Sequence, residues 1–154
     1  MSGSVRAGVS LRPARPEDLA PVLDLLTASG LPVAGVEASF DRFMVADDAG
    51  RIIGVAGLEV YGADGLLRSV AVAEAWRGRG LGGALTEAIL EAAARAGVST
   101  VYLLTETAES FFRGHAFRRI PREEASEGVR ASVEFRELCP ASSALMVRSL
   151  AAAS

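Results

Sequence analysis

The sequence predicts a mixed domain of the α/β or α+β class, with helices and a β-sheet arranged in three layers. Apolar runs and amphipathic stretches alternate in the order strand, helix, strand meander, helix, strand, helix, strand. A strand–helix–strand passage in the middle of the chain is typical of a parallel pair. Half of the 154 residues are hydrophobic, so we expect one core and a single domain over residues 1–154.

The first elements are a short strand and a helix. Residues 1–8 are predicted to be a flexible leader, and Val9–Arg12 a strand. Pro16 and the acids after it are typical of the first turn of a helix, which Gly30 ends. Leu31–Ser39 lacks a clear apolar period and is predicted to be a loop or short helix, a candidate lid. The inward face of the helix is predicted to carry Leu19, Val22, Leu23 and Leu26.

A meander of three antiparallel strands follows. Phe40–Ala46 and Arg51–Tyr61 are rich in apolar and β-branched residues, and residues 47–50 form a turn signal between them. A second turn signal at residues 62–65 leads into Leu66–Val72.

The second half begins with a helix that Gly97 is predicted to cap. The next apolar run, Thr100–Thr105, should pair in parallel with Leu66–Val72, because a helical crossover joins them. Two neighbouring parallel strands leave an opening at their carboxyl ends, where a ligand can bind. The inward stripe of the helix is predicted to be Leu85, Ile89, Ala92 and Ala96.

The remaining elements are shorter. Ala108–His115 is predicted to be a helix and Phe117–Ile120 a strand. Residues 121–137 have a mixed, partly helical pattern, and Ala144–Leu150 is a plausible last strand.

A glycine- and arginine-rich turn between a strand and a helix predicts an anion-binding site. Glycines allow backbone N–H groups to point at one place, and the following helix directs its unpaired N–H groups and positive dipole end there. The spacing is not that of a dinucleotide-binding Rossmann turn. A pyrophosphate is the expected ligand, with the two arginines pairing with phosphate oxygens. The residues are Arg77, Gly78, Arg79, Gly80, Leu81, Gly82 and Gly83.

Composition narrows the partners and the compartment. A net charge of −3 and a pI near 5.2 argue against nucleic acid. The single Cys139 and single His115 are too few for a zinc site, so we expect no metal. One cysteine also fits a reducing, cytoplasmic location. No apolar run approaches the roughly 20 residues that span a bilayer, so no membrane association is expected.

The turn resembles the signature of the GNAT superfamily of acetyl-CoA-dependent N-acetyltransferases, Arg/Gln-x-x-Gly-x-Gly/Ala. Arg77, Gly80 and Gly82 match it. The resemblance implies a mixed, splayed sheet with helices on both faces, and acetyl-CoA as cosubstrate. It also implies that the pantetheine arm of the coenzyme pairs with the backbone of the strand before the turn. The residues in question are Val70, Ala71 and Val72.

The chain is further similar to the arsenic-resistance N-acetyltransferase branch of that superfamily. The similar segments are Gly57–Gly62, Leu67–Val72 and Phe135–Pro140. This likeness implies a link to arsenic resistance but does not establish an arsenical substrate. Cys139, in the third segment, is interpreted as a buried or inert thiol, because one cysteine makes a poor site for trivalent arsenic.

One position departs from the family pattern. Where many members carry a tyrosine that protonates the departing thiolate, this chain has Phe112. The thiolate would then leave unassisted, which a thiol pKa of about 8.5 tolerates, or take its proton from water or another side chain. Phe112 is interpreted either as a contact of the coenzyme arm or as a plain core aromatic.

Acetylation of an amine also needs a base, because an alkylammonium with a pKa of roughly 10 is not nucleophilic at neutral pH. Glu59 is the first candidate, since it interrupts an apolar strand, and Glu106 is the second. Arg68 is unexpected in a core-like strand and could bind an anionic substrate or form a structural salt bridge. The structural alternatives for the Glu59 carboxylate are a position on the solvent face and pairing with Arg68.

Other polar residues have a functional and a structural interpretation. Thr105 and Thr107 could bind substrate or coenzyme, or cap the next helix. His115 is interpreted as a partner of a helix C-terminus rather than a catalyst. The backbone N–H of Val70 is expected to stabilise the oxyanion of the tetrahedral intermediate.

The sequence thus predicts direct transfer of an acetyl group from acetyl-CoA to the amine of a small molecule, without an acyl-enzyme. Two rival hypotheses are a coenzyme-binding module that has lost catalysis and a thiol-based arsenical-binding protein. A homodimer is usual among the proteins that the chain resembles.

Overall fold

The structure, a computed structural model, describes residues 4–6, 8–132, 135–136 and 142–150, and within these ranges it has mixed α/β secondary structure. The predicted fold class is confirmed. No helix of the described residues is long and apolar enough to cross a membrane. The strands lie in the order β1-β2-β3-β4-β5-β6-β8-β7. They are β1 Ser4–Arg6, β2 Val9–Pro13, β3 Phe43–Asp48, β4 Arg51–Tyr61, β5 Asp64–Val72, β6 Thr100–Thr105, β7 Arg118–Ile120 and β8 Ala144–Ser149. The α-helices are α1 Leu19–Ala28, α2 Leu81–Arg95, α3 Glu109–Arg113 and α4 Glu127–Arg130.

The chain divides into two compact units. The first comprises Met1–Leu58 and Ser69–Ile89, and the second comprises Glu59–Arg68 and Leu90–Ser154. The single domain over residues 1–154 stays a prediction.

The first unit begins with antiparallel strands. Ser4 pairs with Ser10 across β1 and β2, so the prediction of a flexible leader is wrong for β1. The pairing continues from β2 to β3 and from β3 to β4. Helix α1 covers this sheet with the predicted side chains, since Val22 and Leu26 are buried. The core of the unit contains Val22, Leu26, Val36, Phe40, Phe43, Val45, Val55 and Ala71.

The start of β3 differs from the prediction. The segment Glu37–Arg42 forms a 3-10 helix, and β3 starts at Phe43 instead of Phe40. Phe40 is nevertheless buried, with its ring centroid 5.4 Å from that of Phe43. An aromatic residue can be buried from a 3-10 helix as well as from a strand, so the apolar pattern placed the start of the strand too early. Gly57 on β4 faces the Phe43 ring, where any Cβ would collide with it.

Helix α2 packs on β4 in the first unit through a glycine. A Cβ at Gly54 would lie 2.8 Å from Leu85 Cδ1, so any larger residue would require the Leu85 side chain to shift. Leu85 and Ile89 are buried as predicted. The rest of the predicted stripe is wrong, because Ala93 is buried while Ala92 is only partly buried and Ala96 is exposed. With 3.6 residues per turn, the buried face of α2 passes through the eighth residue after Leu85 instead of the seventh.

The second unit contains the parallel pair. Asp64–Leu66 of β5 pairs with Thr100–Tyr102 of β6, so the predicted parallel arrangement is confirmed. Strand β8 pairs with β6 on one side and with β7 on the other, both antiparallel. The core of this unit contains Leu66, Tyr102, Ile120, Ala125, Val129, Leu145 and Val147.

A charged network joins β2, the turn before α1 and β3 in the first unit. Arg12 donates two hydrogen bonds to Asp18, at 2.7 and 3.1 Å, and a third to Asp47 at 3.1 Å. Asp18 also accepts from the backbone N–H of Arg15 at 2.7 Å. The bonds from Arg12 are the main reason why the pKa of Asp18 is lowered, against the opposing effect of burial.

Replacing Asp18 with asparagine is expected to lower the free energy of unfolding at pH 7 by about 2 kcal/mol, because charged hydrogen bonds to a buried carboxylate are lost. The folded-state pKa of Asp18 lies below the unfolded-state value of about 3.9. Its stabilisation is therefore present above that value and is lost as pH falls through the folded-state pKa. Urea unfolding from pH 7 to pH 3 should show the difference between wild type and Asp18→Asn shrinking below about pH 4. Asp24→Asn on the exposed side of α1 is the control and should show no such difference.

Candidate active site

The loop between β5 and α2 is built around glycines in the left-handed region. After β5 ends at Val72, a 3-10 turn spans Glu74–Trp76 and α2 starts at Leu81. Gly78 has φ 78° and Gly80 has φ 83°, values that a side chain disfavours. A Cβ at either glycine would meet no atom within 4 Å. The turn is therefore open on the side where these glycines lie. The positive φ angles, and not a lack of space, are the reason for glycine at these two positions.

Arg77 fastens this turn to the end of β5. Its Nε donates a hydrogen bond to the Val72 carbonyl oxygen at 3.0 Å. Next along the chain, the backbone N–H of Ala73 donates to the Ile53 carbonyl oxygen at 2.8 Å. The guanidinium of Arg77 thus has a structural contact in addition to its predicted role with phosphate.

Arg79 lies over the ring of Trp76, with the guanidinium carbon 5.0 Å from the ring centroid. Such a stack limits the conformations of an otherwise exposed arginine and contributes about 0.5–1 kcal/mol at exposed sites. The sequence analysis missed Trp76. An aromatic residue directly before the arginine–glycine turn was the available signal.

The first turn of α2 supplies the remaining predicted residues of the loop. Leu81 is buried, while Gly82 and Gly83 are partly buried. The first N–H groups of a helix have no intrahelical acceptor and carry the positive end of the helix dipole. Together with the left-handed glycines, they suit an anion with several oxygen atoms, such as a pyrophosphate.

In the strand before the loop, Ala71 belongs to the core of the first unit, and Val70 and Val72 are partly buried. Ser69, directly before them, has φ 61°, a left-handed conformation that is rare for a non-glycine residue in a strand. Such conformations cost about 1–3 kcal/mol and cluster at functional sites. The assignment of Val70–Val72 to the coenzyme arm stays a prediction.

Glu59, the first candidate base, lies in a compact charged cluster of the second unit. Its Oε2 accepts a hydrogen bond from Arg68 Nη1 at 2.7 Å. Its Oε1 accepts a hydrogen bond from Tyr61 Oη. The side chain of Arg68 is 0% exposed and that of Glu59 is 11% exposed. We call Glu59, Tyr61 and Arg68 the Glu59 cluster.

The ion pair bears on the two interpretations of Arg68, whose role in substrate binding stays a prediction. A fully buried guanidinium paired with a carboxylate supports the structural salt bridge over the binding of an anionic substrate. The same pair is the structural alternative for Glu59, whose catalytic role stays a prediction.

Tyr61 was missed by the sequence analysis, although a signal was present. Residues two apart on a strand point to the same face, so Glu59 and Tyr61 are neighbours on β4. Tyr61 is partly buried, and helix α4 packs against it at a glycine. A Cβ at Gly128 would lie 2.7 Å from the Tyr61 Cβ, so the close approach requires glycine there.

Phe112 lies among other aromatic rings of the second unit. It is 7% exposed, with its ring centroid 4.9 Å from that of Phe111 and 5.9 Å from that of Phe117. These contacts support the interpretation of Phe112 as a core aromatic, and contact with the coenzyme stays a prediction.

The residues between β6 and α3 show one structural role. Thr105 Oγ1 accepts a hydrogen bond from the Ala108 backbone N–H at 3.0 Å, just before α3 begins, and the predicted capping of α3 by a side chain is wrong because its N-cap, Ala108, has no side-chain cap hydrogen bond. Glu106 and Thr107 are exposed. Their roles as base and substrate contact stay predictions.

His115 follows the C-terminal end of α3, and its ring centroid is 4.9 Å from that of Phe111. Its backbone carbonyl accepts a hydrogen bond from Arg148 Nη1 at 2.9 Å. Cys139 lies outside the described residues, as does most of the segment Phe135–Pro140. Among the described residues, no group of three or more His, Cys, Asp and Glu side chains is placed to hold a metal ion.

A glycine-rich turn between a strand and a helix of a mixed sheet defines this chain as an α/β protein with a glycine-rich loop at the start of a helix. A family model described as the acetyltransferase (GNAT) domain matches residues 39–119, which is more than half of the chain. The chain belongs to the GNAT acetyltransferase family. GNAT enzymes use acetyl-CoA, so the predicted cosubstrate is confirmed at the level of the family. Assignment to the arsenic-resistance branch stays a prediction.

Solved structures share the fold. N-acetylglutamate synthase from Neisseria gonorrhoeae, complexed with coenzyme A and N-acetyl-glutamate, superposes with a TM-score of 0.82 at 23% identity over 95% of this chain. This chain spans only 36% of that longer protein. Rv2747 from Mycobacterium tuberculosis, in complex with CoA and a second ligand, has a TM-score of 0.78 at 24% identity and covers 92% of this chain and 99% of its own. Ard1 from Thermoplasma volcanium has a TM-score of 0.73 at 20% identity, with 94% and 99% covered.

Proposed function

We propose that this protein is an N-acetyltransferase that moves the acetyl group of acetyl-CoA directly to an amine of a small molecule. The observation that carries the proposal is the loop from Arg77 to Gly83, with its two left-handed glycines at the start of α2. Family membership supports acetyl-CoA as the donor.

The loop would hold the pyrophosphate of the donor. The backbone N–H groups at the start of α2 supply hydrogen bonds, and the helix dipole favours the negative charge. Arg79, whose guanidinium stacks on Trp76, is the proposed partner of the phosphate oxygens. Arg77 holds the loop against β5 through the Val72 carbonyl oxygen.

The transfer takes place in a ternary complex. The acceptor ammonium first loses one proton to the base named below, which passes it to water. The lone pair of the resulting neutral amine attacks the thioester carbonyl carbon, and the carbonyl π electrons move to oxygen to give a tetrahedral oxyanion. The N–H of Val70 is the proposed donor to that oxyanion. When the oxyanion collapses, the C–S bond breaks and CoA leaves as a thiolate. A free thiol has a pKa of about 8.5, so its thiolate is an acceptable leaving group. The ammonium proton of the adduct goes to a base, which we assign to Glu59, with Glu106 as the alternative.

The acceptor is proposed to be a small amine. A bound N-acetyl amino acid in the Neisseria gonorrhoeae N-acetylglutamate synthase, whose fold is similar, makes amino acids the first group to test. Amino-bearing arsenicals are the second group, suggested by the likeness to the arsenic-resistance branch. A cytoplasmic location and a homodimer are part of the proposal.

The test is a calorimetric titration with acetyl-CoA, followed by release of free thiol over a panel of amino acids, polyamines, peptides and amino-bearing arsenicals. Acceptor-dependent thiol release, with the acetylated amine found by mass spectrometry, is the expected result. Binding of acetyl-CoA without release for any acceptor would favour a coenzyme-binding module instead. Arsenical binding that is lost in Cys139→Ser, without thiol release, would favour the arsenical-binding hypothesis.

A further inference from the structure

Glu59 is held on both of its carboxylate oxygens. Arg68 donates to one oxygen at 2.7 Å, and the Tyr61 hydroxyl donates to the other. A guanidinium does not release a proton in a protein, and the Arg68 side chain is 0% exposed. A phenol both donates and accepts hydrogen bonds, so Tyr61 is the partner through which a proton can reach Glu59.

Tyr61 is held in position by the surrounding backbone. The close approach of α4 at Gly128 leaves no room for a Cβ, so the helix backbone lies directly against Tyr61. Tyr61 also packs against the hydrophobic core of the second unit while remaining partly buried. Tyr61 is therefore held beside Glu59, to which its hydroxyl donates, and the residue remains partly exposed.

One residue of the Glu59 cluster, Arg68, lies on the same strand, β5, as the segment assigned to the coenzyme. Arg68 directly precedes Ser69, which has a φ of 61° within β5, and Val70–Val72 follow. Strained backbone conformations of this kind cluster at functional sites. The other tyrosine of the chain, Tyr102, is engaged elsewhere, since its hydroxyl is hydrogen-bonded to Ser126.

We propose that Tyr61 is a catalytic proton relay between the acceptor amine and Glu59, an inference that rests on the proposed acetylation of an amine. The ammonium proton of the adduct passes to Tyr61 Oη while the proton of Tyr61 passes to Glu59 Oε1. The electron pair of the broken N–H bond stays on nitrogen. Tyr61 is a neutral phenol before and after the step, and Glu59 becomes a neutral acid that returns its proton to water.

In this mechanism Arg68 is a positioning residue. It fixes one oxygen of Glu59, so that the other faces Tyr61. Tyr61 thus contacts the substrate, and Glu59 is the final acceptor of the proton.

The test uses the full chain and the amine that the panel shows to be consumed fastest. Tyr61→Phe keeps the ring and removes the hydroxyl, and should lower kcat about 100-fold, within the range for general acid–base catalysis, while the Kd for acetyl-CoA stays the same. Glu59→Gln should lower kcat by a similar factor per folded molecule. The double variant should be no slower than the slower single variant, because both residues serve one proton path.

Tyr102→Phe is the matched control, because it removes a hydroxyl of the same kind from a buried tyrosine of the same unit. It should leave kcat within about twofold of wild type. A kcat of Tyr61→Phe that equals this control would overturn the relay, and so would losses that multiply in the double variant. Wild-type protein that releases no thiol with any acceptor would reject the proposed function itself, and the relay with it.

Discussion

Replacing Gly80 with valine is expected to weaken the binding of acetyl-CoA about 100-fold, or about 2.7 kcal/mol. Gly80 has φ 83°, and a Cβ there would meet no atom within 4 Å. The valine would therefore not collide with the protein. Instead it would strain the left-handed backbone by about 1–2 kcal/mol and fill the open side of the loop, where the phosphates are proposed to bind. Isothermal titration with acetyl-CoA measures the effect.

Gly50→Val is the matched control for this substitution. Gly50 lies in the turn between β3 and β4 with φ 96°, and a Cβ there also meets no atom within 4 Å. Both variants should lose a similar amount of stability in urea, because both strain an exposed left-handed residue. Only Gly80→Val should lose affinity for acetyl-CoA. Equal affinities of the two variants would refute the assignment of the loop to phosphate.

The strands that the sequence placed well are those with clear turn signals at their ends. Arg51–Tyr61 and Thr100–Thr105 have the predicted bounds, because glycine- and polar-rich segments flank both apolar runs. Strand β1 was missed because its residues Ser4–Arg6 lack an apolar run, and backbone pairing with β2 defines the strand instead. The place of β8 between β6 and β7 depends on pairing between distant segments, which local patterns do not encode.

Those parts of the candidate site were predictable in which the residue type by itself restricts the backbone conformation or requires a partner. The left-handed glycines at 78 and 80 follow from the motif, because no other residue adopts that backbone as readily. The bond from Arg77 to the Val72 carbonyl oxygen depends on how the turn closes, and no pattern of residue types specifies it. The pairing of Glu59 with Arg68 was predictable as an alternative, since a buried charge needs a partner. Choosing it required the positions of both side chains.

Removing the negative charge of Glu59 should destabilise the fold strongly. Glu59→Gln is expected to lower the free energy of unfolding by about 3 kcal/mol, because it leaves the guanidinium of Arg68, which is 0% exposed, beside a neutral amide. Arg68→Met should cost less, about 1 kcal/mol, because the 11% exposed carboxylate that it leaves can reach water and keeps its hydrogen bond from Tyr61. Urea unfolding at pH 7 measures both changes.

The free energy of unfolding of the double variant Glu59→Gln/Arg68→Met tests whether the two residues are coupled. It should be more stable than Glu59→Gln alone, because the second substitution removes the buried cation that the first leaves without its carboxylate. The exposed pair of Arg113 and Glu109, also 2.7 Å apart, is the control within the same unit, and Glu109→Gln should cost no more than about 0.5 kcal/mol. Additive losses in the double variant would contradict the coupling of Glu59 and Arg68, whereas a rescue would establish that the buried arginine charge is the reason why Glu59→Gln destabilises the fold.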